Sequence, residues 1–371
     1  MPQRGLVMVD AVGILGGGGR EVALDVVWAC LSETSISGIL LCAGDEELLG
    51  AFADHRRIRL LDVQTRGYPW RARWWFGGAV ETALRHGCAA ILHLGNVAVG
   101  SSRGLPRGVM VHQPNALTEP TPGWPLDMRS MRYRALRRLI ATSVRRSDVV
   151  FVQSSAVAEA VREFHPRAKV IIAAPSPPAS LPAPSLDAAS LEATDRRILY
   201  VGSDAAHKNL HLLTETGRRF GDKMSGARFV VSLAAPPAPS PGVHHVGSLT
   251  RQQVADELER AHALVMPSLH ETAGLPMLEA MQRGVPVLAA DRPYARAICG
   301  EAALYFDPMD ASALASACRE IVDDEALRQA LIGAGSARVR ELEEARGDKA
   351  MAIWLEAAAS YPSSGGPPGA L

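Results

Sequence analysis

Ser268 to Asp291 reads SLHETAGLPMLEAMQRGVPVLAAD. The apolar run ALVMPS (Ala263–Ser268) leads into it, and VPVLAA (Val285–Ala290) closes it. Between them the chain has room for one helix, with Pro276 suited to a first helical turn and Gly284 to the stop. The order strand, turn, helix, strand is the repeating unit of a parallel α/β sheet. A helix that opens directly after a strand leaves backbone N–H groups unclaimed near Gly274 and Leu275, which makes a ready anion site. Diphosphate is the obvious anion. Glu279, about one turn into the helix, can accept from ribose hydroxyls, and Glu271 in the loop can point at a sugar.

Working outward, the same alternation fills both halves of the chain. Downstream of residue 195, apolar runs at Ile198–Gly202, Arg228–Ala234, Val243–Gly247 and Ala303–Pro308 add to the two above. Upstream, they fall at Leu6–Asp10, Gly38–Ala43, Arg59–Asp62, Ala89–Leu94, Val109–His112, Val149–Gln153 and Val170–Ala173. Ala174–Asp187, APSPPASLPAPSLD, is too proline-rich for a helix or a central strand. The reading is an N-terminal Rossmann-like domain at 1–173, a linker at 174–194 and a second α/β domain at 195–345. Helix-like segments follow at Asp310–Asp323 and Asp324–Leu355. A C-terminal helix at 346–360 can pack back on the N-terminal domain, and 361–371 reads as a disordered tail. Two such domains would face each other across a cleft lined by the loops that follow the strands.

Three further places stand out. Gly13–Arg20, GILGGGGR, follows the first strand and lets the backbone approach a ligand at Gly16 and Gly17, although no frame gives the Gly-x-Gly-x-x-Gly dinucleotide fingerprint. Gly202–Asn209, GSDAAHKN, holds Lys208 in a chain where only four of 39 basic residues are lysine, a bias usual in GC-rich bacterial genes. Val111–Asn115, VHQPN, ends a strand on His112; His93, with Asn96 nearby, ends the strand before and is its rival.

The remaining numbers mainly exclude. The 371 residues suit two domains, and a formal net charge of zero gives no global reason to expect nucleic acid. Five scattered cysteines without a Cys-x-x-Cys pair fit a reducing cytoplasm and neither a disulfide framework nor a zinc site. No apolar stretch reaches the ~20 residues of a spanning helix. The tryptophan-rich RGYPWRARWWF (Arg66–Phe76) and the seven arginines of Met128–Arg146 leave room for peripheral contact at the inner membrane face. The simpler reading, a helix packed by its tryptophan face beside a solvated basic helix, is preferred.

ETAGLPMLEAMQRGVPVLAAD resembles the Glu-x7-Glu signature of retaining glycosyltransferases of GT-B fold, specifically the group-1 family (glycosyltransferase family 4). GEAALYFDPMD (Gly300–Asp310) is similar to the run that follows that signature. The resemblance implies a GT-B architecture, with 1–173 as the acceptor domain and 195–345 as the nucleotide-sugar-binding domain, and transfer of a hexosyl-type sugar from a nucleotide-diphosphate sugar, with retention. It leaves a glycan, a lipid-linked or a small-molecule acceptor open. It implies no cofactor and no metal, and no Asp-x-Asp occurs in the chain. It casts Glu271, His112 and Lys208 as catalytic. Gly16, Gly17, Ser203, Lys208, Asn209, Thr272, Ala273, Gly274, Leu275 and Glu279 become nucleotide-sugar contacts. Ser203 stands where the family usually has arginine, which removes one expected positive charge. A sugar-nucleotide epimerase or phosphorylase of the same fold, or a weakly active nucleotide-sugar-binding partner, are the alternatives.

Overall fold

The computed structural model describes residues 5–14, 16–33, 36–64, 67–112, 131–173, 182, 196–233, 240–271, 273–344 and 348–360. The expected linker (Pro182 apart), the expected tail, Thr272 and Gln113–Asn115 lie outside these residues. The described residues form two compact units, the first holding 5–112, 131–173 and 348–360 and the second 182 and 196–344.

The first unit is built on β1 (Leu6–Asp10), β2 (Gly38–Ala43), β3 (Ile58–Asp62), β4 (Cys88–His93), β5 (Arg107–Val111), β6 (Val149–Val152) and β7 (Val170–Ile172). They run in the order β3-β2-β1-β4-β5-β6-β7, every pair parallel. Continuous apolar runs such as GILLCA in β2 are buried at every residue, as expected of a sheet covered on both faces. One core packs Met8, Leu40 and Ile91 against Trp74, Val80 and Ala83. Another packs Val109 and Val150 against Ile140, Val144, Val157 and Val161.

The tryptophan-rich stretch is a helix (Tyr68–Arg73), a wider π-type turn (Trp74–Gly78) and a helix again (Ala79–Arg85). Trp74 is buried, Trp70 stacks on it at 5.6 Å, and Trp70 and Trp75 pack against the same core. The arginine-rich segment is the helix Met131–Arg146. Arg134, Arg137, Arg138 and Arg145 border an open groove of about 620 Å³ whose floor includes Phe164.

The second unit contains β8 (Arg197–Val201), β9 (Arg228–Ser232), β10 (Val243–His245), β11 (Ala263–Met266), β12 (Val287–Ala290) and β13 (Ala303–Phe306). The order is β10-β9-β8-β11-β12-β13, again all parallel. Its core joins Ile198, Tyr200, Phe229 and Val265 to Leu212, Leu314 and Ile321 of the helices Leu210–Phe220 and Ala311–Asp323.

The helical segment read as Asp324–Leu355 is two helices, Glu325–Glu344 and Asp348–Ala359. They serve different cores, which is why one pattern could not describe both. Leu331 and Val339 are buried in the second unit. Met351 and Leu355 are buried in the first, where the last helix packs on the helix Gly17–Glu33 and on β4. Among the described residues no helix is long and apolar enough to cross a membrane.

Candidate functional site

In open parallel sheets ligands bind beyond the carboxyl ends of the strands, where the strand order reverses. In the second unit that point lies between β8 and β11. The loops leaving these two strands carry Lys208 and Glu271, which meet: Lys208 Nζ donates to Glu271 Oε1 at 2.5 Å. Ser268 Oγ donates to the same oxygen at 2.7 Å. The two charged side chains are only 17% and 12% exposed, so each offsets the desolvation of the other. Leu269 N–H donates to His207 C=O at 2.8 Å and ties the loops together.

Asn209 underlies this arrangement. It is 1% exposed and left-handed (φ 58°), and its amide donates to Pro267 C=O at 3.1 Å and Pro308 C=O at 2.9 Å. The side chain of this residue, placed among the nucleotide-sugar contacts by sequence, joins the loops after β8, β11 and β13. Ser203 is exposed, and its carbonyl accepts from the hydroxyl of buried Tyr200 at 2.8 Å.

The loop after β11 turns into the helix Leu275–Gln282 at Gly274, which has φ 56°. A Cβ there would be strained at this φ and would stand 2.5 Å from Met277 Cε and 2.7 Å from Ile298 Cδ1, so the ends of these two side chains would have to move aside. Ala273, Gly274 and Leu275 are buried in this turn, and Met277 N–H returns to Gly274 C=O at 2.8 Å. Glu279 follows one turn later, 3% exposed, and Arg251 Nη1 donates to its Oε1 at 2.8 Å. Arg251 opens the helix Arg251–Glu259 and was not visible from sequence, because nothing in its surroundings signals a partner 28 residues away.

Two groups the sequence did not single out flank Glu271. Tyr294, in the helix Pro293–Cys299, donates to Ser268 C=O at 2.8 Å. Burial, reinforced by the Glu271 charge, pushes its phenol well above the ordinary range. Burial also pushes the His270 imidazole down to about 4; Glu271 opposes this, while His207 and Lys208 add to it.

In the first unit the reversal lies between β1 and β4. Asp10 ends β1 and gathers three donors: His93 Nδ1 at 2.7 Å, Trp74 Nε1 at 3.1 Å and Val12 N–H at 3.1 Å. His93 is thus a buried partner of Asp10. His112, just past β5, is half-buried, with Nδ1 at 3.2 Å from Gln153 Oε1 and its N–H donating to Asn96 Oδ1. Burial lowers the His112 pKa, against smaller upward pulls from Gln153 and the Leu94 backbone. In the glycine loop, Gly17 opens the helix Gly17–Glu33. Gly16 (φ 92°) lies over Arg20, whose guanidinium grips the Asp45 carboxylate at 2.8 Å through two nitrogens. The structure thus brings Lys208 and Glu271 into direct contact, sets Gly274 and Glu279 on the same turn and helix, and places Gly16, Gly17 and His112 in the other unit.

Comparison with known proteins centres on the same stretch. Residues 233–338 match the family model of glycosyl transferases group 1. The resemblance read from Glu271–Glu279 thus holds across most of the second unit. The chain is 26% identical to the O-antigen chain mannosyltransferase B of Escherichia coli over 156 residues, which are 38% of this chain and 41% of that protein. It therefore spans about two fifths of the length of that curated relative. The fold is also that of a sucrose-phosphate synthase from Thermosynechococcus elongatus, at TM-score 0.72 and 18% identity over 96% of this chain and 99% of the other. Anabaena Alr3699/HepE in complex with UDP and glucose is similar at TM-score 0.65 and 14% identity, over 94% and 98%. Both are GT-B relatives in fold, in keeping with two parallel-sheet α/β domains.

Proposed function

We propose that this chain is a retaining, metal-independent glycosyltransferase that moves a hexosyl-type sugar from a nucleotide-diphosphate sugar to a glycan, lipid-linked or small-molecule acceptor. The first unit would serve the acceptor and the second the nucleotide sugar. The carrying observation is the Lys208–Glu271 contact at the strand-order reversal of the second unit. An ammonium there can meet the negative charge that builds on a departing diphosphate, and the N–H groups opening the helix at Gly274 and Leu275 can share it. Glu271, held by Ser268, is left to orient the sugar and to favour positive charge at its anomeric carbon. Glu279, already engaged by Arg251, has one turn of helix between it and the phosphate turn, a spacing suited to ribose. With retention, the leaving phosphate can take the acceptor proton on the face from which it departs.

The experiment is transfer from UDP-, GDP- and dTDP-sugars to an acceptor panel by the wild-type chain and by Lys208→Ala and Glu271→Ala. Each variant should lose about 10²–10³-fold in kcat, the range for removing one charge-stabilising donor. Unchanged rates in both variants would sink the assignment. Turnover of the nucleotide sugar to its epimer without acceptor would point to the epimerase reading instead.

A further inference from the structure

A cation in the first turn of a helix works against that helix, because the unclaimed N–H groups there already carry partial positive charge. The helix Arg251–Glu259 nevertheless opens on arginine, with no acidic residue in its first turn. Its start is pinned: Thr250 Oγ1 accepts from Gln253 N–H at 3.3 Å, and Gln253 Oε1 accepts from Thr250 N–H at 2.9 Å. Just upstream, Gly247 C=O accepts from Ser232 Oγ at 3.0 Å, which ties the loop after β10 to the end of β9. Arg251 thus springs from a firm base. A residue that opposes its own helix there is serving a partner elsewhere.

That partner is Glu279, whose Oε1 accepts from Arg251 Nη1 at 2.8 Å. The carboxylate is buried, while the arginine side chain is half-buried. Side chains on a helix lean toward its N-terminus. Glu279, the fifth residue of the helix Leu275–Gln282, therefore leans back to the edge where that helix begins, beside the turn at Gly274. Taking a carboxylate out of water is costly unless a well-placed cation offsets its charge. A guanidinium suits the task, being flat, always charged and shaped to fix a carboxylate in one plane. A carboxylate has about four acceptor positions, so a guanidinium can orient it without exhausting it. We propose that Arg251 is the positioning residue for Glu279: it offsets the buried charge and fixes the plane in which the carboxylate accepts from the ribose hydroxyls of the donor nucleotide. This rests on the glycosyltransferase reading above. All the residues involved belong to the second unit. Arg251 acts here through Glu279, with no contact of its own to the nucleotide required.

The test is calorimetric binding of UDP and GDP to the full chain, beside their dideoxy analogues, which lack both ribose hydroxyls. Arg251→Met should raise the Kd of the ribonucleotide about tenfold, the scale of one hydrogen bond to a charged group, and leave that of the dideoxy analogue unchanged. In sugar transfer the donor KM should rise with kcat kept. With Glu279 already changed to Gln, Arg251→Met should cost no further affinity, because the two residues act as one unit. Arg251→Lys keeps a charge beside the carboxylate but not the flat fork. It covers the case in which the Met variant fails to fold, and should show the same selective loss to a smaller degree. Equal weakening of ribonucleotide and dideoxy analogue, or weakening of neither, overturns the proposal while the glycosyltransferase reading stands. A wild-type chain that binds no nucleoside diphosphate counts against that reading, and the role of Arg251 falls with it.

Discussion

His270 sits next to the catalytic candidate Glu271, and its imidazole is pushed by burial from 6.5 to about 4. Between those values the unfolded chain takes up a proton that the folded chain refuses, so folding stability falls as the pH drops from 6.5 towards 4. The loss amounts to at most about 3.5 kcal/mol, since each pKa unit is worth about 1.4. Urea unfolding at several pH values should show this slope in the wild type and a flatter one in His270→Gln. Equal slopes would mean that the ring titrates normally. Some of the residue-level picture was open to sequence reasoning. Lys208 stood out because lysine is rare in this chain, and Glu271 and Glu279 because of their spacing in a strand-turn-helix. Arg251, Tyr294 and Gln153 did not stand out. Each acts through a neighbour distant in sequence, which leaves no local pattern.

At the scale of elements, the turn at Gly274 concentrates the constraint. Gly274→Ala adds a methyl against Met277 and Ile298 and forces alanine to φ 56°. The cost should be about 1–3 kcal/mol of stability, from left-handed strain and overpacking together. The same change tilts the N–H groups that open the helix, so sugar transfer should fall further than stability alone would explain. Chemical denaturation beside an activity assay separates the two, and an unaltered midpoint would mean the turn can relax. Strands were the most legible elements, because a parallel sheet covered on both faces demands unbroken apolar runs, and β1 and β2 coincide with the runs LVMVD and GILLCA. The boundary between the last two helices was legible only at the level of domains, where 346–360 stood apart, and not in the helical pattern, which ran on from Asp324 to Leu355. Their apolar positions belong to two cores, and a single period read across both hides the change of allegiance.

For the whole molecule, the likeness to GT-B structures covers nearly the full chain, while the family model covers only residues 233–338. This contrast has a physical basis: a doubly wound sheet tolerates many apolar sequences, whereas the turn at Gly274, inside the matched stretch, holds a left-handed backbone that few side chains accept. It also explains why the second unit announced itself in sequence more clearly than the first. The last helix, Asp348–Ala359, lies in the first unit, with Met351 and Leu355 buried and Ala359 C=O accepting from Gly5 N–H at 3.2 Å. The polypeptide therefore passes from the first unit to the second and returns. A protease site inserted at 183–190 and then cut would yield two fragments on a denaturing gel. In native buffer they should still migrate as one particle, because the second fragment keeps its end docked in the first like a buckle. Separation of the fragments without denaturant would show that the last helix is only loosely held. If the buckle holds, the N-terminal and C-terminal halves can be made as separate chains and left to find each other, a split protein whose reassembly can be read out as recovered function.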